Sequence, residues 1–183
     1  MLIWLSLPLF LQGLAMLVDE LHFHRRRGLP RWERIGHPVD TLSVLVCYGL
    51  SLSVAPSQQN LVIYAVLAAL SCLLITKDEL VHAARCEPWE QWLHALLFVL
   101  HPIVLSVAAL LWLRQERLLL ALSAALTAGF GAYQFAYWNL KWTKLQRSQS
   151  ITPFMIDSAS VGTPPTTTPS RSCAPNRDFE TPG

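Results

Sequence analysis

Trp32-Glu33-Arg34-Ile35-Gly36-His37 is the stretch that decides the fold, because its pattern returns 57 residues later as Trp89-Glu90-Gln91-Trp92-Leu93-His94. Both copies read W-E-x-x-x-H. Each copy follows a D-E-L triplet that has a histidine just behind it, Asp19-Glu20-Leu21 in the first case and Asp78-Glu79-Leu80 in the second. Carboxylates and imidazoles are the materials of a metal site, so this duplication is the main functional clue in the sequence.

The composition indicates a membrane protein. Hydrophobic residues make up 52% of the 183, charged residues only 14%, and the mean hydropathy is +0.36. A helix needs about 20 apolar residues to cross the hydrocarbon core, with about 17 as the lower limit. Stretches without charged residues predict five spans, near residues 2–18, 41–55, 61–76, 93–113 and 118–138. The second and third spans are short and must extend into the polar residues at their ends.

The duplication predicts how these spans are arranged. We expect an all-α integral membrane protein whose first four helices form a four-helix bundle of two parallel helical-hairpin repeats, about 1–55 and 61–113. The span at 118–138 has no counterpart in the repeat and could serve oligomerisation. A transmembrane domain would then cover residues 1–147. Residues 148–183 are rich in Ser, Thr and Pro, which predicts a disordered tail.

The distribution of positive charge predicts the orientation. The 19–40 loop, the 77–92 loop and the C-terminal tail hold twelve of the fourteen Lys and Arg residues, whereas the opposite side holds only Arg114 and Arg117. The positive-inside rule therefore puts the N-terminus outside, and both motif loops and the tail in the cytoplasm. The lipid bilayer is the expected partner. A net charge of +2 without a basic patch argues against a nucleic-acid partner.

Acids and histidines cluster on this predicted cytoplasmic face. All six histidines and eight of the twelve acids lie between residues 19 and 101. Residues three or four apart share a helix face, which pairs Glu with His four times. The predicted metal ligands are Glu20, His24, Glu33, His37, Glu79, His82, Glu90 and His94. Residues predicted to orient the ligands, or to relay protons, are Asp19, Asp40, Asp78 and His101.

The site chemistry resembles that of four-helix di-iron and di-manganese carboxylate proteins, which use glutamates and Glu-x-x-His pairs that point inward. Only Glu79 and His82 have that spacing, and the other three pairs are one residue longer. Histidine with carboxylate suits two irons, or alternatively manganese or zinc. The H-x-x-H-H boxes of desaturases, the H-E-x-x-H motif and glycine-rich phosphate loops are absent. The sequence thus favours a di-iron-like oxidoreductase that acts on a lipophilic substrate, with unassigned catalytic residues.

Two alternatives remain open. These side chains are also typical of a membrane interface, where carboxylates pair with arginines and Arg25, Arg26 and Arg27 bind acidic headgroups. A non-catalytic membrane protein, such as a metal or proton carrier or an assembly factor, would use the same residues as a relay. His101 favours this relay, because it lies two helical turns deeper than His94 on the same face.

Cysteine accessibility tests the predicted topology. In a background without Cys47, Cys72, Cys86 and Cys173, single cysteines at Ser57 and Ser150 should react with a membrane-impermeant maleimide from opposite sides. Ser57 lies in the predicted outside loop and Ser150 in the predicted cytoplasmic tail. Labelling of both from the same side would contradict the five-span topology.

Overall fold

The computed structural model describes residues 2–78 and 87–141, and these consist of helices and the turns between them. Five long helices are α1 (Leu2–Val18), α2 (Arg31–Ser53), α3 (Gln58–Ile75), α4 (Pro88–Leu113) and α5 (Arg117–Phe135). All five are long and apolar enough to cross a membrane, once the helical turns that continue α1 and α5 are included. The prediction of five apolar helices is confirmed, which indicates a multi-pass membrane protein. The predicted tail at 148–183 lies outside the described residues.

The helices extend beyond the charge-free spans. α2 begins at Arg31 and α4 at Pro88, several residues before the predicted spans at 41–55 and 93–113. Both motif copies are helical although they carry charge. This is possible because other helices cover the polar side chains on one face of each copy. The short second span thereby gains the extra length that it needed.

The connection from α1 to α2 contains an unusual helical turn. α1 continues as a π-helix over Asp19–His24 and then as one α-helical turn over Arg25–Arg27. Gly28 ends it with φ 76°, a left-handed conformation that glycine adopts without steric cost. Its N–H donates to the carbonyl of His24 at 2.8 Å. α2 starts at Arg31 after an extended Pro30.

Short turns make α2 and α3, and α4 and α5, antiparallel neighbours. The Ser57 hydroxyl caps α3 by accepting from the backbone N–H of Asn60 at 3.2 Å. The Asn60 side chain donates to the carbonyl of Ala55 at 2.9 Å. Between α4 and α5 the chain turns through Gln115, whose φ is 58°. The turn predicted at residues 56–60 is therefore present.

The helices pack around α4. α1 lies along α4, α2 lies between α3 and α5, and α4 contacts all four other helices. Tyr64 and Trp112 lie in the apolar core, which combines residues of α2, α3, α4 and α5. Their polar atoms are satisfied by backbone carbonyls, Tyr64 Oη at 2.7 Å from Leu105 O and Trp112 Nε1 at 2.9 Å from Val54 O. α5 is consequently an integral part of the packing.

The closest approach of α2 and α5 depends on Gly131. A Cβ built at this buried glycine would lie 2.6 Å from Cγ2 of Thr41, inside van der Waals contact. Glycine therefore lets the two helices come together at this depth, as small residues do in membrane helix pairs. Gly129, two residues earlier in α5, is exposed and has no heavy atom within 4 Å of the same position.

These two glycines give a matched pair of substitutions. Gly131→Ala should destabilise the folded protein by about 1–3 kcal/mol, the usual cost of overpacking. Gly129→Ala should cause no loss, because alanine favours helix and meets open space. Thermal unfolding of each variant in detergent measures the difference. Truncating Thr41 to glycine should restore part of the stability lost in Gly131→Ala. Equal behaviour of the two alanine variants would contradict the close contact.

Candidate metal centre

In both motif copies the tryptophan faces outward and the adjacent glutamate is buried. Trp32 and Trp89 are 54% and 75% exposed, whereas the adjacent Glu33 and Glu90 are each 2% exposed. Successive residues of an α-helix are about 100° apart around its axis, so an outward tryptophan turns its neighbour inward. The histidine four residues later lies on the face of the glutamate. Each copy thus delivers one buried carboxylate and one imidazole from the first turns of α2 or α4.

Four buried residues form the first group that could hold a metal ion. They are Asp19, His24, Glu90 and His94, and one ligand atom from each lies within 4.8 Å of the others. Asp19 connects the two imidazoles. Its Oδ1 is 3.1 Å from Nε2 of His94, and its Oδ2 is 3.2 Å from Nε2 of His24.

A second group adjoins the first. His24, Glu33 and His37 also have ligand atoms within 4.8 Å of one another. The ring of His24 lies between the other two imidazoles, with centroid distances of 5.0 Å to His37 and 6.3 Å to His94. His24 is common to both groups, so three carboxylates and three imidazoles form one continuous cluster. This acid–histidine cluster consists of Asp19, His24, Glu33, His37, Glu90 and His94.

The π-helical turn explains why Asp19 joins the cluster. In an α-helix, Glu20 and His24 share a face, and Asp19 points elsewhere. A π-helix closes its hydrogen bonds on the fifth residue rather than the fourth, which brings Asp19 and His24 one turn apart. The wider turn therefore places both Asp19 and Glu20 beside His24. Such turns are frequent at functional sites.

The donor set and its spacing fit a metal ion. Metal–ligand bonds to histidine and carboxylate are about 2.0–2.2 Å long, which puts neighbouring ligands of one metal about 3.0–3.6 Å apart, depending on the coordination geometry. Asp19 forms a hydrogen bond with His94 at 3.1 Å and an ion-pair contact with His24 at 3.2 Å, and both distances fall in this range. Nitrogen and carboxylate oxygen suit iron, manganese or zinc, and none of the six side chains carries a thiolate. The structure thus contains a buried acid–histidine cluster that could bind metal.

Glu20 was a predicted ligand, but it belongs to neither group. Its Oε1 accepts hydrogen bonds from Trp138 Nε1 at 2.8 Å and from the Tyr133 hydroxyl at 3.2 Å. Its Oε2 accepts one from Gln134 Nε2 at 3.0 Å. Asp19, which was predicted to orient a ligand, is in the cluster instead. Asp19 rather than Glu20 is grouped with Glu90 and His94 because residues 19–24 are wound as a π-helix and not as the α-helix that the spacing assumed.

Asp40 and His101 belong to neither group. Both carboxylate oxygens of Asp40 are 2.7 Å from Nζ of Lys77, so this acid forms an ion pair. Nε2 of His101 is 2.9 Å from the hydroxyl of Ser71. Glu79, His82 and the side chain of Asp78 lie outside the described residues.

The basic run after His24 contacts α5. The guanidinium of Arg25 donates to the Tyr133 hydroxyl at 3.0 Å and lies 5.2 Å from the ring centre of Tyr137. The hydrogen bond to Tyr133 raises the pKa of Arg25, which keeps this exposed side chain charged. Arg26 is exposed, and the side chain of Arg27 lies outside the described residues.

Sequence reasoning did not find the residues that hold Glu20. They are Tyr133, Gln134 and Trp138, and of these Gln134 and Trp138 are 6% and 1% exposed. An amide and an indole at i and i+4 in an apolar helix both offer buried N–H donors that need acceptors. That spacing was the available signal, although it does not identify the acceptor.

Comparison of the chain with family models, with curated proteins and with solved structures finds no significant match.

Substitution of two aspartates that have different partners, Asp19 and Asp40, tests which acid contributes to metal binding. Asp19→Asn should weaken metal binding at least about tenfold, because it removes the carboxylate that contacts both His24 and His94. Asp40→Asn should change the affinity less than about twofold, since Asp40 pairs with Lys77 and belongs to neither group. Competition with a chromophoric chelator, on protein purified in detergent, measures both. Equal losses would contradict the placement of the site at Asp19.

Proposed function

We propose that this chain is a membrane-embedded two-metal oxidoreductase that acts on a lipophilic substrate. The observation that carries the proposal is the junction of two potential ligand groups at His24, with Asp19, Glu90 and His94 on one side and Glu33 and His37 on the other. Two adjoining groups suit two metals better than one, because three carboxylates and three imidazoles can give each metal its own histidine and carboxylate, with His24 bound to only one of the two.

The burial of the acids supports bound cations. Asp19, Glu20, Glu33 and Glu90 are at most 6% exposed. A carboxylate moved from water into an apolar interior costs several kcal/mol unless positive charge and hydrogen bonds compensate it. Divalent cations at the two groups would supply positive charge beside Asp19, Glu33 and Glu90, in addition to the polar contacts that these acids make.

The donor set supports redox chemistry. Di-iron and di-manganese carboxylate proteins surround their metals with histidine and carboxylate in a helical bundle, and such metals supply the electrons for oxidation and reduction. The cluster here has equal numbers of acids and imidazoles, whereas those proteins have more carboxylates. Zinc is the alternative metal and would support hydrolysis instead. The protein's own residues would hold the metals and exclude water.

The surroundings support a lipophilic substrate. The cluster lies at the ends of helices whose outer faces are apolar, and Trp32, Trp89 and Trp92 are exposed beside it. A substrate dissolved in the bilayer could approach between these helices. The proposed orientation puts the cluster at the cytoplasmic face, where Arg25, Arg26 and Arg27 would bind an acidic headgroup.

The proposal requires the two motif copies to be equivalent halves of one site. Purified protein should contain about two tightly held metals per chain by elemental analysis. Glu33→Ala and Glu90→Ala should each remove most of the bound metal, and the double variant should lose little more, because ligands that act as a unit are strongly non-additive. Additive losses would indicate separate sites. Full metal retention in both single variants would leave these acids with an interfacial role.

A non-catalytic relay is the second candidate, and one hydrogen-bond chain favours it. The Ser43 hydroxyl donates to the carbonyl of Asp40 at 2.7 Å and is 2.6 Å from the Ser71 hydroxyl, which is 2.9 Å from Nε2 of His101. Each hydroxyl has one hydrogen. Ser71 therefore donates to Ser43, and the N–H at Nε2 of His101 donates to Ser71.

These hydrogen bonds run from His101 in the interior of α4 to the backbone carbonyl of Asp40 in α2, a residue whose side chain pairs with Lys77. A proton or metal carrier should transport protons or metal ions in proteoliposomes, and His101→Gln should abolish that transport while leaving metal content unchanged. For the oxidoreductase we expect no such transport and an unchanged metal content in the same variant. Transport by the wild type that His101→Gln abolishes would favour the carrier.

A further inference from the structure

Glu20 has an unusually complete set of hydrogen bonds for a residue inside an apolar helix bundle. The side chain is 1% exposed, and three neutral donors from the end of α5 reach its two oxygens. Hydrogen bonds to a carboxylate favour its ionised form and fix its orientation. The donors Tyr133, Gln134 and Trp138 come from one short stretch of chain, which continues into a second π-helix over Ala136–Lys141.

Glu20 and Asp19 lie on opposite sides of the His24 ring. Oε2 of Glu20 is 3.5 Å from Nδ1, whereas Oδ2 of Asp19 is 3.2 Å from Nε2. The two nitrogens of an imidazole point away from each other, so a metal bound at Nε2 beside Asp19 cannot also reach Glu20. At 3.5 Å the contact of Glu20 is an ion-pair distance at the outer limit of a hydrogen bond, and it puts a carboxylate beside the second ring nitrogen of His24.

We propose that Glu20 is a positioning residue that holds the proton of His24 on Nδ1 and thereby directs the lone pair of Nε2 toward the metal. The end of α5 acts as a clamp that keeps the carboxylate in place. Carboxylates in this position orient metal-ligating histidines and make them better donors, and their loss weakens metal binding about 10- to 100-fold. The role in metal binding rests on the proposed function, whereas the location of the proton on His24 does not.

Glu20→Gln is the direct test, because the two side chains have the same shape. The amide nitrogen of glutamine is a donor, so it would face Gln134, Trp138 or the Nδ1–H of His24, all of which are donors as well. We expect His24 to lose its Nδ1 proton in favour of Nε2. In protein with ¹⁵N-labelled histidine, long-range ¹H–¹⁵N spectra report which nitrogen carries the proton, and His24→Asn assigns the signal.

Metal binding gives the second readout. Glu20→Gln should bind Co²⁺ or Zn²⁺ about 10- to 100-fold more weakly. Its stoichiometry and the shape of the Co²⁺ absorption bands should match those of the wild type, because no ligand is removed. Glu87→Gln makes the same chemical change at an exposed acid just before α4, and it should alter neither readout.

Trp138→Phe tests the clamp without changing Glu20. It removes the 2.8 Å hydrogen bond to Oε1 and keeps most of the aromatic volume. We expect a smaller loss of affinity than in Glu20→Gln, and no further loss when the two are combined, because both act through one carboxylate. If Glu20→Gln does not fold, Trp138→Phe carries the test, and unchanged affinity together with unchanged His24 signals would overturn the proposal.

Three other results would overturn it. They are a wild-type His24 without a proton on Nδ1, a Glu20→Gln variant with wild-type affinity, and changed Co²⁺ bands that mark Glu20 as a ligand. If the wild-type protein binds no metal, the proposed function fails, and the proton on His24 then decides the positioning role by itself.

Discussion

A carboxylate inside an apolar helix bundle must find positive charge or hydrogen-bond donors, and this requirement organises one end of the molecule. Asp19, Glu20, Glu33 and Glu90 are buried together. Water is not there to solvate them, so histidine rings and N–H groups from four helices surround them. The helix ends converge because α1, α2 and α4 cannot bury their acids alone.

The winding of α1 is the local device that makes this convergence work. A regular α-helix would turn only one of the two consecutive acids, Asp19 or Glu20, toward His24. The π-helical turn over Asp19–His24 turns both toward it, one on each nitrogen of the ring. Gly28 then ends the helix with a positive φ, so that α2 can start close by and bring Glu33 and His37 to the same ring. The local geometry and the cluster thus depend on each other.

α5 links the packing of the spans to the cluster. It approaches α2 closely at Gly131, and the turn just beyond this contact carries Tyr133, Gln134 and Trp138 to Glu20. α5 has no counterpart in the sequence repeat. It nevertheless supplies the hydrogen-bond donors around Glu20, an acid of the first repeat. Small displacements of α5 would move Glu20 and change its contact with His24, because buried polar contacts tolerate little change in distance.

The sequence by itself determined the five apolar helices and the inward face of each motif. The reason is that span length and the i, i+4 spacing of Glu33 with His37, and of Glu90 with His94, are local properties that helix geometry converts directly into structure. It did not determine that Asp19 rather than Glu20 meets His94, or that Asp40 pairs with Lys77. Nor did it determine that an aromatic stretch more than 110 residues away holds Glu20. Only the tertiary structure decided these points, because the winding of one turn and the partner across a helix interface depend on side chains far apart in the sequence.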